Sequence, residues 1–294
     1  MKPSSFGYSR PESVAEAVQV LASIGPDGKV LAGGQSLVPL LNMRLAAPTH
    51  LVDINRLSEL AFISVADGQV TVGATARHAD VLRDPIAATA QPLLRKALSL
   101  VAHPVIRNRG TTVGSIVHAD PSGEMTAVIA LLGGSVRMVG PSGQRCVSAE
   151  NFFLGPLESD VRPDELAVEA SFPVLPPAAG CAFAEVSRRQ GDYAICGVAA
   201  LVELDEDGIV TRARAAYLSV SGTPLVLDLT SACGDVGGDL TEADFADAGR
   251  LAMSQVRPSD DIHATASYRR HLVGVLTERA LHEAHQQARG RAGG

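Results

Sequence analysis

Apolar residues along the chain switch between a helical and a strand period, and the switches outline the elements. Val14, Ala17, Val18 and Leu21 fall at i, i+3, i+4 and i+7, which predicts a helix with one buried face. Ser9 and Glu12 have the spacing of a capping box, with Ser9 as N-cap. Gly25-Pro26-Asp27-Gly28 ends that helix. Short apolar runs at 29–32 and 51–54 predict strands, with a helix over 37–44 between them. Residues 1–57 thus read as a small α/β unit. A hairpin follows, with strands at 62–65 and 70–73, then helices at 78–82 and 92–101. The stretch 103–120 reads as irregular, being rich in Gly, Thr, Ser and Arg. A helix is expected over 124–132, and a second hairpin turns at Gly140-Pro141-Ser142-Gly143. Pro173, Pro176 and Pro177 mark a boundary. Beyond it come a strand at 181–187, a hairpin of 198–204 with 209–218, a helix over 241–255 started by Thr241 with Asp244 three residues on, and a long helix over 264–287. The expected organisation is α+β: one domain over 1–175, in parts 1–57 and 58–175, a second over 178–286, and a frayed tail at 287–294.

Composition narrows the function. Of 294 residues, 46% are hydrophobic, a globular value, and the formal net charge is −7. An acidic chain without a dense Lys/Arg run is a poor nucleic-acid partner. No apolar run reaches the length of a membrane span, and the N-terminus lacks a signal-peptide core, so a cytoplasmic protein is expected. Cys146, Cys181, Cys196 and Cys233 are scattered, with no CxxC pair, so no iron–sulfur or zinc site is expected from this chain. Glu278, His282 and His285 share one helical face, but at a polar, solvated helix end. No metal site is assigned to them.

Two turns carry candidate chemistry. At Ala32-Gly33-Gly34-Gln35-Ser36-Leu37 a strand ends, two glycines permit close backbone approach, and a helix begins. Successive amides at such a turn cradle an anion, although a tight structural turn would use the same residues. Neither a Walker A nor a G-x-G-x-x-G pattern is present. The second turn, Arg107-Asn108-Arg109-Gly110-Thr111-Thr112-Val113-Gly114-Ser115, leads to His118-Ala119-Asp120-Pro121. Hydroxyls and amides there suit a diphosphate, and Asp120 suits a ribose hydroxyl or adenine amine. Its other reading is a solvated loop with Asp120 capping the next helix. Two such turns without a lysine-bearing loop point to a bound dinucleotide.

The run Leu31-Ala32-Gly33-Gly34-Gln35-Ser36-Leu37-Val38-Pro39-Leu40-Leu41-Asn42-Met43-Arg44-Leu45, with Leu51-Val52-Asp53-Ile54, resembles the FAD-binding medium subunit of molybdenum hydroxylases. That group includes flavoprotein subunits of carbon monoxide, xanthine and N-heterocycle dehydrogenases. Ile106 to Thr111 with Asp120-Pro121 resembles the second flavin motif of the family. Ser187-Arg188-Arg189-Gln190-Gly191-Asp192-Tyr193-Ala194 resembles its C-terminal signature, and Asp261 to Ala264 with Tyr268 to Leu272 its last helix. The resemblance implies a two-part FAD domain of the vanillyl-alcohol oxidase type plus a C-terminal α+β domain. It places Ala32, Gly33, Gly34, Gln35, Ser36 and Leu37, together with Thr111, Gly114 and Ser115, at the FAD diphosphate. It places Asp120 at the adenosine, and Tyr193, with Arg188 or Arg189, beside the flavin ring. One departure stands out: Val113 occupies a position where the family pattern has glycine, and a β-branched residue resists positive φ.

The resemblance further implies electron transfer. Iron–sulfur clusters on a small partner subunit would pass electrons to FAD here, and a large partner would hold the molybdenum cofactor. The expected assembly is a dimer of heterotrimers hydroxylating an N-heteroaromatic substrate. The alternatives are a carbon monoxide or aldehyde dehydrogenase subunit, a stand-alone flavin oxidase, and a flavin-free assembly protein. No side-chain acid, base or nucleophile is required of this chain.

Overall fold

The computed structural model describes residues 2–233 and 241–292. β1 (Gly7–Ser9), α1 (Val14–Ile24), β2 (Gly28–Leu31), α2 (Leu37–Met43) and β3 (His50–Asp53) build a parallel sheet ordered β1-β3-β2. Ala17, Val18 and Leu21 bury the face of α1 that the periodicity predicts. Its N-cap is Ser13, not Ser9: the Ser13 hydroxyl accepts from the Glu16 amide at 3.1 Å. Ser9 ends β1, aligned with Val52 of β3, and its hydroxyl meets His50 Nε2 at 2.8 Å. Pairing with a distant strand therefore overrides the local capping pattern.

β4 (Ile63–Ala66) and β5 (Gln69–Gly73) form the first hairpin. Six helices follow: α3 (His78–Arg83), α4 (Pro85–Ala90), α5 (Pro92–Leu100), α6 (Pro104–Arg107), α7 (Thr112–His118) and α8 (Glu124–Leu132). The stretch 103–120 is therefore not irregular. Pro104 starts α6, and Thr111 caps α7 by accepting from the Gly114 amide at 3.2 Å. Its polar composition hides a buried side made by Thr112, Val113 and Ile116. The α4 helix, absent from the sequence reading, starts at Pro85 with the Asp84 carboxylate accepting from the Ile86 and Ala87 amides. β6 (Ser135–Gly140), β7 (Gly143–Ser148), α9 (Ala149–Phe152), β8 (Phe153–Gly155), β9 (Glu158–Ser159) and β10 (Leu166–Pro173) complete this half. Its main sheet is antiparallel, ordered β4-β5-β10-β6-β7.

β11 (Ala179–Ser187), β12 (Ala194–Leu204), β13 (Val210–Leu218) and β14 (Leu225–Asp228) form a sequential antiparallel sheet. After it come α10 (Thr230–Cys233), α11 (Glu242–Gln255) and α12 (Ala266–Ala292). Alternation along β11 serves two cores. Cys181 and Phe183 point into the core of the first half, whereas Ala182 and Ala184 face α11 and α12. The expected tail at 287–294 is helical as far as Ala292, with Gly293 and Gly294 outside the described residues. Gly180 explains this, because a Cβ there would lie 2.5 Å from the Ala288 amide nitrogen, so only glycine lets α12 run this close.

The halves are tied by polar links as well. Lys96 Nζ lies 2.6 Å from Glu283. The Ser219 amide donates to the Pro121 carbonyl at 2.8 Å, and its hydroxyl to Ser122 Oγ at 2.9 Å. Cys146 is exposed and the other three thiols are buried.

Candidate cofactor site

The two glycine-bearing turns meet. Gly33 is buried against the backbone of the second turn: a Cβ there would overlap the Arg109 carbonyl oxygen and sit 2.7 Å from Gly110 Cα. Gly34 adopts φ +72°, which favours glycine. The amides of Gly33, Gly34, Gln35 and Ser36 donate to no acceptor among the described residues. Gly33, Gly34 and Gln35 border a cavity of about 350 Å³ that Ala32, Asn42, Asp53, Asn55 and Arg109 also line.

A polar relay that sequence reasoning missed holds the turns in place. Tyr8 donates to Asp53 at 2.5 Å, and Asp53 accepts from the Asn55 amide at 2.9 Å and from its side chain at 2.6 Å. The same Asn55 side chain donates to the Ala32 carbonyl at 2.7 Å and accepts from Arg77 Nη2 at 2.7 Å. Arg77 Nη1 then donates to the Arg109 carbonyl at 2.8 Å. Burial opposes the charge of Asp53, but the Tyr8 and Asn55 hydrogen bonds hold its carboxyl below the usual range. Burial and then the neighbouring Arg109 lower Arg77. Only the Asp53-Ile54 strand end hinted at this relay; Asn55 and Arg77 are single polar residues with no local pattern. Replacing Arg77 with Met frees the Arg109 carbonyl and Asn55 together. A loss of about 1.5–3 kcal/mol is expected in denaturant unfolding, the range for hydrogen bonds to a charged group.

Beneath the second turn, His78 is buried, with Nδ1 at 3.2 Å from Thr112 Oγ1. Burial, helped by Arg107, lowers it to about 4, so it is neutral at physiological pH. Val113 resolves its own puzzle. It is the second residue of α7, 1% exposed in the core, and it is not among the residues with positive φ. The close approach falls to Gly114, whose Cβ would sit 2.5 Å from Thr111 Oγ1.

The other predicted residues lie off the cavity wall. Thr111 is buried beside Gly33, Gly114 and Ser115 are half-buried in α7, and Ser36 and Leu37 are half-buried at the start of α2. Asp120 does not cap α8, whose N-cap is Gly123; its carboxylate instead accepts from the Ser122 amide at 2.8 Å. Tyr193, in the second half, is 68% exposed. Asp120 lies in the first half, one residue before the Pro121 carbonyl that accepts from the Ser219 amide of the second. Arg188 is exposed, and Arg189 pairs with Asp192 at 3.1 Å. The turn holding them rests on His103, because a Cβ on Gly191 would meet that ring at 2.6 Å.

The family described as FAD binding domain in molybdopterin dehydrogenase matches residues 4–175, and that described as CO dehydrogenase flavoprotein C-terminal domain matches 181–284. The chain belongs to the FAD-binding medium subunits of the molybdenum hydroxylases. It is 39% identical to the 6-hydroxypseudooxynicotine dehydrogenase complex subunit alpha of Paenarthrobacter nicotinovorans, over 98% of this chain and 97% of that one. Quinoline 2-oxidoreductase from Pseudomonas putida 86 superposes with a TM-score of 0.91 at 38% identity, covering 98% and 99% of the chains. Carbon monoxide dehydrogenase from Hydrogenophaga pseudoflava superposes with a TM-score of 0.91 at 35% identity, covering 97% and 98%. The α+β class and family expected from the motifs are thus the ones observed, and the first half is an FAD-binding domain.

His282 and His285 form no metal centre with Glu278. Among the described residues no group of three or more His, Cys, Asp or Glu could hold a metal. Phe245 packs on both imidazoles, with ring centroids at 5.2 and 5.7 Å. No described helix is long and apolar enough to cross a membrane.

Proposed function

We propose that this medium subunit holds FAD with its diphosphate at the paired turns and its flavin ring toward the seam. The observation that carries the reading is the buried Gly33, which brings the Arg109–Thr111 backbone against a turn whose four amides are free to bind an anion. Gly33, Gly34, Gln35 and Ser36 would supply amides, Arg109 positive charge, and Thr111, Gly114 and Ser115 the wall of the second turn. Ala32 and Leu37 flank the first turn. Asp120 would take a hydroxyl or amine of the adenosine, and Tyr193, with Arg188, would border the ring, where an aromatic face can cover a flavin. A flavin bound there would supply the electron-transfer chemistry. The chain positions it: the Tyr8–Asp53–Asn55–Arg77 relay fixes both turns, and neutral His78 adds no charge to the second.

The electrons would come from iron–sulfur clusters on a small partner subunit, with the molybdenum cofactor on a large one, in a cytoplasmic dimer of heterotrimers. An N-heteroaromatic substrate is favoured by the quinoline-oxidising relative. Flavin, iron and molybdenum analysis of the native complex tests this. FAD, iron and molybdenum are expected together, with the metals on the other subunits. A folded, flavin-free chain that assembles with no iron–sulfur subunit would contradict it.

A further inference from the structure

Arg107 belongs to the second motif but does not line the cofactor cavity. Its Nη1 donates instead to the Val101 and Ala102 carbonyls, at 2.8 and 2.9 Å. These carbonyls lie where the chain leaves α5 and bends into α6. Ala102 has φ +43°, a left-handed conformation that an alanine keeps only when its surroundings hold it there. His103 comes next. Its carbonyl accepts from the Ile106 and Arg107 amides at 2.9 and 3.0 Å, so its backbone is pinned as the N-cap of α6. Its ring takes no part in that cap.

The ring reaches the other half of the molecule. Gly191 has φ +81°, and a Cβ there would lie 2.6, 2.8 and 2.9 Å from Cε1, Nε2 and Nδ1 of His103. The tip of the imidazole therefore rests on the Gly191 backbone, and only glycine leaves room for it. The turn it touches spans 188–193, between the ends of β11 and β12. This turn is braced internally. The Ser187 hydroxyl and the Asp192 amide both donate to the Arg189 carbonyl, at 2.9 and 3.1 Å, and Arg189 Nε donates to Asp192 at 3.1 Å. The register of β11 on β12 slips between Val186 and Ser187, just before the turn. Such a slip redirects a strand, so the ladder alone does not fix where the turn points. The internal bonds make the turn one unit, and the His103 contact sets where that unit sits. Tyr193 is its last residue.

We propose that His103, braced by Arg107, is a positioning residue for the flavin site: it seats the Gly191 backbone and thereby holds the Tyr193 phenol in place beside the flavin ring. The inference rests on the reading that Tyr193 borders that ring. An exposed side chain on a loose turn would lose backbone as well as rotamer freedom when the cofactor binds. A seated turn has lost the backbone part already.

The test uses the native complex carrying His103→Ala, Tyr193→Ala or both. The negative face of a phenol opposes the charge gained on reduction, so Tyr193→Ala should raise the flavin reduction potential. His103→Ala should raise it by part of that shift, with FAD content unchanged. The double variant should go no further than Tyr193→Ala, because the two residues act through one contact. Hydrogen exchange in the flavin-free full chain reads the seat without the cofactor. The 188–193 segment should exchange about three- to tenfold faster in His103→Ala, with the strands on either side unchanged. Exchange as slow as in wild type would overturn the seating contact. A wild-type potential in His103→Ala, where Tyr193→Ala shifts it, would overturn the inference whatever the exchange rates, and so would a double variant that sums the two single shifts. An unchanged potential in Tyr193→Ala, with FAD bound, would instead overturn the reading of Tyr193 as a ring neighbour, and the inference with it.

Discussion

Gly33→Val should abolish stable FAD binding. A side chain at this position must displace the Arg109 carbonyl oxygen and Gly110 Cα, which are backbone atoms of the facing turn and cannot swing aside. Overpacking of this kind costs about 1–3 kcal/mol, occasionally more. The functional loss should exceed that cost, because the displaced segment carries Thr111 and the start of α7, and separating the turns opens the diphosphate cradle. We expect FAD affinity to drop by at least about tenfold, the effect of some 1.4 kcal/mol, while the fold survives at reduced stability. Gly290→Ala is the matched control. It lies in α12 with open space around its Cβ position, so it should leave FAD binding unchanged and stabilise the helix by about 1 kcal/mol or less.

The second large effect falls in the C-terminal half. Arg269 is 6% exposed, and its guanidinium donates to the Ile195 carbonyl, to the Ser219 carbonyl at 2.8 Å, and to Asp261 at 2.5 Å. Arg269→Met leaves both carbonyls without this donor and should cost about 3 kcal/mol, the upper part of the range for losing charged hydrogen bonds. Unfolding in denaturant, with the slope unchanged, checks it. Ile195 follows Tyr193 by two residues, and Ser219 is bonded to Pro121 and Ser122, just past Asp120. The variant should therefore loosen both sides of the seam and weaken flavin retention as well. The acid limb carries a further signature. The Arg269 guanidinium, then the Ala264 and His263 amides, hold the Asp261 carboxyl well below the usual carboxylate range. A carboxyl lowered in the folded state contributes stability above its unfolded value, and loses it as pH falls through the folded one. Wild type should accordingly destabilise more steeply in acid than Arg269→Met does.

Local patterns predict the structure where the chain decides it locally. The 124–132 helix ends where its apolar run ends, and Thr241 with Asp244 forms the capping box that their spacing predicts. Where the structure departs from these patterns, distant contacts decide it. Ser9 has a capping pattern but is drawn into a parallel pairing with a strand some forty residues on. The 103–120 stretch looks polar because α7 buries only one narrow side, made by Thr112, Val113 and Ile116, and α6 buries no residue. The glycine turns were visible as motifs, but that Gly33 seats against Arg109 and Gly110 was not, since nothing in either segment refers to the other. Asn55 and Arg77 act through bonds to the distant Ala32 and Arg109 carbonyls and to each other, which no local pattern encodes.

Two turns pressed together at Gly33 are proposed here to hold the flavin cofactor. FAD titration into the flavin-stripped chain, with wild type and Gly33→Val side by side, tests it most directly. Saturable binding of one FAD per wild-type chain is expected, and its loss in the variant, with both chains folded. Equal FAD binding by the two chains, or none by folded wild type, would contradict it.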